Sequence, residues 1–528
     1  MLRLPIHVPV GVVILLFVSL LAPALAPSSA SAQSTGSWFV YHQITNFPEE
    51  TGSLGYPVLS GDGTTAVFTE APGTGDSATP NRIFTITADG SGMTEVDSYV
   101  SLCFCGSMAD ISNDGSVVVS TDSVQVRIAD GGGARDLLTL GSNEISAAVI
   151  SGNGQTVFIL VRRDTATSDG ATTIPRGIWA IDASGANLRQ LVDANDIATA
   201  LGVTIEETGC CFHADGRPLD ASDDGSRVVF AAFAAGVERF FSTDGSGGNL
   251  VQLGGDMQFT MRVAVSGDGT LAAYDGTPVG ATLNDVAVIP AGGGEATVLT
   301  SMPYSGFDEP FQLTQNGTRL LVSSNGLLFD TATGAAELLG ASINGVGGNH
   351  VAVLTDGLPR GTMDAEGTRF LYVMRSVRCA DCANQQEQLA TMSIDPVDLG
   401  AAPVISNESI EPATILPEYG SEAVVSVSVS ANGQVLGVGF AALLGGTVDV
   451  NVGHLLVLLD DGTNGDAVAG DGTYTLGAIV HAPIEVRESD TGPRIVRIAA
   501  EIEDANGLRH ATAVDIGTLT VDDTAARR

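Results

Sequence analysis

Short runs that either alternate between apolar and polar residues or are rich in β-branched residues occupy most of this chain, and polar turns separate them. One set comprises the runs Thr156–Val161, Gly177–Ile181 and Asn187–Val192, with the turn 182–185 between the last two. A period of two places every second side chain on one face of an extended segment, and β-branched residues favour extended backbone, so each run predicts a β-strand. With the run that precedes Ser151, this set has four strands. The pattern therefore predicts an all-β protein built from four-stranded units.

Seven tetrapeptide turns mark where these units repeat. They read Ser60-Gly61-Asp62-Gly63, Ser112-Asn113-Asp114-Gly115, Ser151-Gly152-Asn153-Gly154, Ser222-Asp223-Asp224-Gly225, Ser266-Gly267-Asp268-Gly269, Thr314-Gln315-Asn316-Gly317 and Asp364-Ala365-Glu366-Gly367. Asp-Gly and Asn-Gly favour tight hairpins because Gly accepts the positive φ that such turns need. Units that recur about every 40–50 residues are typical of propeller blades, so the repeat predicts a seven-bladed β-propeller.

The longer repeat pattern resembles that of a known family. Residues 178–191 read Ile-Trp-Ala-Ile-Asp-Ala-Ser-Gly-Ala-Asn-Leu-Arg-Gln-Leu, and Thr85–Thr94 carry a shorter version. This pattern is similar to the repeat of TolB-type, WD40-like β-propellers over residues 37–396. The resemblance implies the propeller fold, and because TolB itself has six blades, it leaves six as the alternative to seven. The sixth and seventh turns also depart from the pattern, since Thr314 and Asp364 replace Ser.

The last repeat unit lacks one strand. Runs over 368–375 and 388–394 follow its turn, but no outer strand precedes Pro396. The run Trp38–Ile44 near the N-terminus belongs to no other unit. We therefore predict that it completes the last blade and closes the ring, which removes an exposed sheet edge. The propeller domain is predicted over 33–396.

A second domain is predicted after a linker at 397–404, where the repeat stops. Seven alternating runs between Val424 and Val521 are typical of the strands of a small β-sandwich. A length of about 120 residues suits an immunoglobulin-like module. We predict an immunoglobulin-like β-sandwich over 405–524.

An acidic, glycine-rich loop at 460–474 is the distinctive sequence of this second domain. It resembles the acidic loop of bacterial immunoglobulin-like modules found in secreted and surface proteins. Carboxylates separated by Gly can bring oxygen ligands together on a hard cation such as Ca²⁺. The candidate calcium ligands are Asp460, Asp461, Asp466 and Asp471. The alternative is a turn region in which Asp side chains cap backbone N–H groups.

Residues 1–32 are predicted to form a signal peptide. Arg3 supplies positive charge, residues 12–21 form an apolar core, and Ala-Ser-Ala at 30–32 is a small-residue cleavage site. A membrane anchor is the alternative, but the apolar run is short for a membrane span. We therefore expect a secreted or periplasmic protein with no membrane span after signal removal.

The charge balance excludes one class of partner. Lys and Arg number 23 and Asp and Glu number 61, which gives a net charge of −38 at pH 7. A surface this negative repels a phosphate backbone, so we expect no nucleic-acid partner. Apolar residues make up 44% of the chain, which excludes a disordered acidic protein.

Length variation is confined to one predicted face of the propeller. The loops between the second and third strands of a blade and the loops between blades emerge together, and they hold the insertions 71–81, 163–176, 193–216, 340–359 and 377–386. Variable loops on a rigid scaffold commonly form binding sites. We call this side the loop face, and the side that carries the tetrapeptide turns the turn face.

All six cysteines fall on the predicted loop face, as Cys103, Cys105, Cys210, Cys211, Cys379 and Cys382. An even number in a secreted chain favours disulfides, with local and crossed pairings both open. A redox role for the Cys-x-x-Cys at 379–382, or zinc binding by the clustered cysteines, is the alternative.

Candidate binding residues lie on the same loops. They are His213, Tyr304, Phe307, Asp308, Glu309 and His350. The sequence contains no Gly-x-Ser-x-Gly elbow and no set of nucleophile, base and orienting group. The predicted function is recognition of a protein or polysaccharide partner at the cell envelope. The alternative is an extracellular hydrolase or lyase at the channel mouth, which needs His213 close to Asp308 or Glu309.

Overall fold

The computed structural model describes residues 38–47, 54–70, 80–99, 108–202, 211–212, 218–234, 236–302, 311–323, 326–339, 343–344, 350–351, 361–376, 386–394, 400–415, 422–444, 447–448, 456–463, 466–480 and 491–522. Within these ranges nearly all regular structure is β-strand, and the single described helix is α1 (Ala194–Leu201). The predicted all-β class is confirmed. No helix in the described ranges combines the length and apolar character needed to cross a membrane.

The strands of the first repeats are β1 (Trp38–Gln43), β2 (Leu54–Leu59), β3 (Thr65–Glu70), β4 (Asn81–Thr87), β5 (Thr94–Tyr99), β6 (Met108–Ile111), β7 (Val118–Thr121), β8 (Gln125–Asp130), β9 (Gly133–Thr139), β10 (Ile145–Ile150), β11 (Thr156–Val161), β12 (Thr165–Ala166), β13 (Thr173–Ile174), β14 (Gly177–Asp182) and β15 (Arg189–Val192). The later ones are β16 (Cys211–Phe212), β17 (Leu219–Ala221), β18 (Arg227–Ala234), β19 (Val237–Asp244), β20 (Val251–Val265), β21 (Leu271–Pro278), β22 (Asn284–Pro290), β23 (Thr297–Met302), β24 (Phe311–Leu313), β25 (Arg319–Val322), β26 (Leu327–Asp330), β27 (Ala336–Leu338), β28 (Ile343–Asn344), β29 (His350–Val351), β30 (Thr362–Met363), β31 (Arg369–Ser376) and β32 (Gln386–Ser393).

Antiparallel pairing groups most of these described strands into four-stranded units, numbered here in chain order. Units 1 and 2 are β2–β5 and β6–β9, and unit 3 is β10, β11, β14 and β15. The long strand β20 ends unit 4, which begins with β17–β19, and its second part starts unit 5, which continues with β21–β23. Unit 6 is β24–β27, and unit 7 is β30–β32 with β1.

The tetrapeptide turns join the units into a closed cycle, the turn ring. Each turn donates a backbone N–H to the carbonyl of the second residue of the next turn, over 2.7–2.9 Å, and the last link runs from Ala365 N–H back to the Gly61 carbonyl. A cycle of four-stranded antiparallel units is the arrangement of a β-propeller.

Side chains inside each turn explain its Ser-x-Asp-Gly sequence. In the first turn Ser60 Oγ donates to Asp62 Oδ1 over 2.6 Å and accepts from Thr65 N–H over 3.0 Å. Gly63 has φ of 70°, a conformation in which other residues are strained. In the second turn, hydrogen bonds from Ser112 and Ser116 hold the pKa of Asp114 below its ordinary value. Hydrogen bonds within the turn thus fix its conformation and keep Asp114 ionised at neutral pH.

Apolar faces of neighbouring units pack against each other. Phe158 and Leu160 of unit 3 lie in one cluster with Phe230 and Phe241 of unit 4, and all four are fully buried. The last and first units meet in the same way, around Phe68, Leu371 and Leu389. Burial of apolar side chains between the units is the main favourable contribution to the stability of such a fold.

The N-terminal strand β1 completes unit 7, as predicted. It pairs antiparallel with β32, and Val40 lies opposite Ser393. The sequence did not indicate its second partner. On the other side β1 pairs with the last strand of the chain, where Val40 lies opposite Thr512.

The C-terminal strands are β33 (Val404–Glu411), β34 (Thr414–Ile415), β35 (Glu422–Ser430), β36 (Gln434–Leu444), β37 (Thr447–Val448), β38 (Leu456–Leu458), β39 (Thr473–Val480), β40 (Gly492–Glu503) and β41 (Arg509–Val521). One sheet is β33-β35-β39, and the other runs through β41, β40 and β36. Their apolar faces share one core, which includes Val425, Phe440, Ile498 and also Trp38 of β1. The immunoglobulin-like class of this sandwich remains a prediction.

The second of these sheets continues into the propeller. The strand order β30-β31-β32-β1-β41-β40-β36 runs without a break from unit 7 into the sandwich. Unit 6 covers this junction, since Leu321 and Leu328 pack in one cluster with Phe39, Ala499 and Ala513. The pairing of β1 with β41 therefore connects the two domains that the sequence predicted on either side of 397–404.

Candidate functional site

Most residues of the predicted loop-face site lie outside the described residues. They are His213, Tyr304, Phe307, Asp308, Glu309, Cys103, Cys105, Cys210, Cys379 and Cys382. For Cys211 and His350 the backbone alone is described, with Cys211 opposite Phe233 and His350 opposite Asn344. The disulfide pairing, the binding role of these residues and the enzyme alternative all stay predictions.

Two described insertions confirm that the loop face carries extra structure. The hairpin β12–β13 stands between the second and third strands of unit 3. Helix α1 follows unit 3, where the sequence predicted an insertion but no helix. Asp193 caps it by accepting from Asn195 and Asp196 N–H, and Gly202 ends it with φ of 64°. Asp193 and Asp196 form a reciprocal capping box, a signal that was readable in the sequence.

The turn ring is filled by its own side chains. Small and large residues alternate at the second turn position, as Gly61, Asn113, Gly152, Asp223, Gly267, Gln315 and Ala365. A Cβ added to Gly61 would lie 2.5 Å from Asn113 Oδ1, and one added to Gly152 would lie 2.5 Å from both Asn113 Nδ2 and Asp223 Oδ1. The glycines therefore leave the space that the polar side chains occupy.

A second polar layer lies next to the turn ring and is formed by the residues two positions before the tetrapeptide turns. Asp110 Oδ2 accepts from Ile150 N–H of the next unit over 2.9 Å, and Asp220 Oδ2 accepts from Val265 N–H over 2.8 Å. Gln312 makes the equivalent link to Met363 from unit 6 to unit 7. Even-numbered units thus hold their neighbours through polar side chains in both layers.

The two polar layers line a cavity of about 100 Å³ to which all seven units contribute. Burial, the largest influence, raises the pKa of Asp223 at its edge, and Asp224 and Asp268 add to the rise. The Asn113 and Gln315 side chains oppose it by hydrogen bonding to the Asp223 carboxyl. Asp223 Oδ2 is buried at this cavity and has no hydrogen-bond partner among the described residues.

The acidic loop of the sandwich brings three of its four predicted ligands together. One oxygen from each of Asp460, Asp466 and Asp471 lies within 4.8 Å of the others. Asp461 is outside this group, and its Oδ1 accepts from Thr463 N–H and Oγ1. Asp460 and Asp466 also accept backbone N–H bonds, for example from Gly470 and Gly462 over 2.6 Å each. Three convergent carboxylates suit Ca²⁺, and the capping bonds suit the alternative, so calcium binding stays a prediction.

One cluster that sequence reasoning did not single out lies where the two chain ends pair. His42 of β1 and His510 of β41 are cross-strand partners, and their Nδ1 atoms are 3.0 Å apart. The residues are 468 positions apart in the chain. The sequence carried no signal for this pair because the pairing of β1 with β41 was not predicted.

No protein-family model matches this chain, and no curated protein sequence matches it either. Similar solved structures include TolB from Acinetobacter baumannii, with 16% identity and a TM-score of 0.33. The match covers 58% of this chain, which spans 64% of that TolB chain.

Two other similar structures are enzymes. An oligogalacturonate lyase from Vibrio parahaemolyticus has 9% identity and a TM-score of 0.43, with 69% of this chain and 100% of the lyase covered. An acylaminoacyl peptidase from Pyrococcus horikoshii has 11% identity and a TM-score of 0.40, with coverage of 73% and 59%. At these identities the matches assign no activity, ligand or partner to this chain.

Proposed function

We propose that this chain is a secreted or periplasmic β-propeller protein that binds a protein or polysaccharide partner at the cell envelope through its loop face. The observation that favours the loop face over the turn face is that side chains fill the turn ring. Asn113 and Asp223 fill the space that Gly61, Gly152 and Gly267 leave in the ring. The turn face therefore offers a partner short, rigid turns, whereas variable loops are the usual place for recognition.

The loop face also carries the added structure. Helix α1 and the hairpin β12–β13 both extend from unit 3 on this side. Ala171, near the tip of the hairpin, is exposed, while Ile174 at its base is buried in the core. A buried base under an exposed tip holds the tip in a fixed position. Such a projection gives a partner a defined surface at a low cost in ordering entropy.

Capture experiments test this proposal. The chain from Gln33 onwards is immobilised and exposed to envelope extract and to a panel of envelope polysaccharides. We expect specific capture of one partner, weakened at least about tenfold by Ala171→Arg or by replacing 166–173 with Gly-Gly, because interface contacts of about 1.4 kcal/mol or more are lost.

Ala186→Arg is the matched control, since Ala186 is an exposed alanine of the same unit on the turn face. It should leave capture unchanged. Repeated failure to capture any partner, or loss of capture in Ala186→Arg alone, would contradict the proposal.

The acidic loop is proposed to bind calcium and to stabilise the sandwich. The test compares Asp471→Asn with Asp461→Asn, two substitutions in one loop of which only Asp471 belongs to the convergent group. Asn keeps the oxygen that accepts from Thr473 N–H. We expect 1 mM Ca²⁺ to raise the Tm of the wild type and of Asp461→Asn by a few degrees, but not that of Asp471→Asn. Equal responses in all three proteins, or the same wild-type Tm in Ca²⁺ and in EDTA, would contradict calcium binding. The Asp side chains would then serve only to cap backbone N–H groups.

A further inference from the structure

The His42–His510 pair lies in direct cross-strand register at the junction of propeller and sandwich. Its two Nδ1 atoms face each other over 3.0 Å. On its other side, His510 Nε2 lies 3.4 Å from Asp504 Oδ2. Only 8% of the His510 side chain is exposed. The pair is therefore held in place by the sheet and by Asp504.

The Asp504 contact fixes which nitrogen of His510 carries the proton. A carboxylate only accepts hydrogen bonds, so Nε2 is the protonated nitrogen of the neutral ring. Nδ1 of His510 then presents a lone pair toward His42. A carboxylate behind a histidine whose other nitrogen presents its lone pair is the arrangement that orients histidines on metal ions.

A cavity of about 320 Å³ adjoins the pair. Both histidines line it, together with Arg369, Asp89 and Ser393. The Arg369 and Asp89 charges are opposite in sign, so the cavity wall has no net charge from these two groups. It has room for water or a small solute beside the imidazoles.

We propose that His42 and His510 bind a divalent transition metal ion of the zinc class through their Nδ1 atoms, and that this ion links the N-terminal strand β1 to the C-terminal strand β41. Zinc lies about 2.0–2.1 Å from histidine nitrogen, so two nitrogens that are 3.0 Å apart can both reach one ion. The N–Zn–N angle is then about 95°. A small separation of the rings brings this angle to the tetrahedral value. The two remaining positions face the cavity and take water or a small anionic solute.

Direct zinc binding tests this proposal on the full mature chain. Any free thiols are first blocked with iodoacetamide in the absence of reductant and denaturant, so that no thiol supplies the metal site. Zinc is then titrated by calorimetry after EDTA treatment and dialysis. We expect one histidine-dependent site, with affinity that falls as pH is lowered from 7.5 to 5.5 because protons compete for imidazole.

Three variants assign the site. His42→Gln should lower zinc affinity at least about tenfold, and Asp504→Asn should weaken it about tenfold through loss of the orienting carboxylate. Asp504→Asn is a positioning variant, so its zinc affinity should change more than its metal-free Tm. His481→Gln, at a histidine outside the described residues, should bind zinc like the wild type.

The result that overturns the proposal is equally specific. If the blocked wild type binds no zinc at 100 µM, or if folded His42→Gln binds it as tightly as the wild type, the two rings share a hydrogen bond and not an ion. Folding of each variant is checked by circular dichroism without metal. If His42→Gln fails to fold, the Asp504→Asn and wild-type titrations decide.

Discussion

At the scale of single residues, the second position of each tetrapeptide turn decides how the ring closes. Asn113 fits between Gly61 and Gly152 because neither glycine has a side chain there. Gly61 has no positive φ, so its role is space and not backbone conformation. The alternation of small and large residues was visible in the sequence, but its meaning needed the ring, because these residues are neighbours only after the units close into a cycle.

Gly61→Ala should destabilise the protein by about 1–3 kcal/mol, the usual range for overpacking. The new Cβ would lie 2.5 Å from Asn113 Oδ1, 2.6 Å from its Cγ and 2.9 Å from its Cβ, so the whole Asn113 side chain must move. Gly292→Ala is the control, because a Cβ there has no atom within 4 Å. Urea unfolding gives both values, and the control should change stability by less than about 0.5 kcal/mol.

A double-mutant cycle separates this clash from a general effect of alanine. Asn113→Gly removes the side chain that the new Cβ meets, so the cost of Gly61→Ala should fall by about 1 kcal/mol or more in that background. Strictly additive costs would show that Asn113 does not fill the space beside Gly61.

Glu501 is a second residue whose environment controls stability. It is 1% exposed, Arg509 Nη1 lies 3.6 Å from Oε1, and Oε2 is buried with no hydrogen-bond partner among the described residues. Burial raises the pKa of Glu501 from 4.5 to about 7, although the nearby Arg509 lowers it. The folded protein therefore keeps a proton that the unfolded chain releases.

The stability contribution of this proton is complete below pH 4.5 and is lost as the pH rises to about 7. We expect the free energy of unfolding of the wild type to fall across this window by on the order of 3 kcal/mol relative to Glu501→Gln, which cannot ionise. Denaturant curves at pH 5 and pH 8 measure it. If the two proteins show the same change between these pH values, Glu501 does not titrate in this window.

At the scale of elements, the sequence predicted local structure well. The apolar, β-branched run Thr156–Val161 forms a strand with five of its six residues buried. In the C-terminal domain, the strand Glu422–Ser430 follows its alternation, because a half-buried strand needs a period of two. The tetrapeptide turns were also readable, since Ser60 and Asp62 form hydrogen bonds within a few residues of themselves. Short-range chemistry leaves a short-range signal.

Contacts between distant elements were harder to predict. The partner of β1 in unit 7 followed from counting strands, because one was missing there. Its pairing with β41 had no such sign, since an outer strand of a blade ordinarily ends the sheet. The buried Arg497 fits this unforeseen contact. It pairs with Asp515 over 2.6 Å and lies 4.2 Å over the Phe39 ring of β1. Arg497 and Asp515 pair within the β40–β41 hairpin, whereas the contact of Arg497 with Phe39 crosses the junction and had no sign in the sequence.

At the scale of the whole molecule, the continuous sheet makes propeller and sandwich one structure. β1 contributes Phe39 to the cluster under unit 6 and Trp38 to the sandwich core. Damage to this strand therefore reaches both parts. Two tryptophans report on them, Trp38 at the junction and Trp179 in unit 3, and both are buried.

Val40→Pro tests this coupling. Val40 is fully buried and paired on both sides, so proline removes a ladder donor within a sheet and should cost about 2–3 kcal/mol. In Trp179→Phe and Trp38→Phe backgrounds, each of which keeps one tryptophan, fluorescence should show urea midpoints that coincide and shift together. Val404→Pro, at the first residue of the edge strand β33, should shift neither by much because an edge position tolerates proline. A Trp38 transition that moves to lower urea while the Trp179 transition stays would mean that the sandwich unfolds alone, and the shared sheet would then be a contact between independent domains.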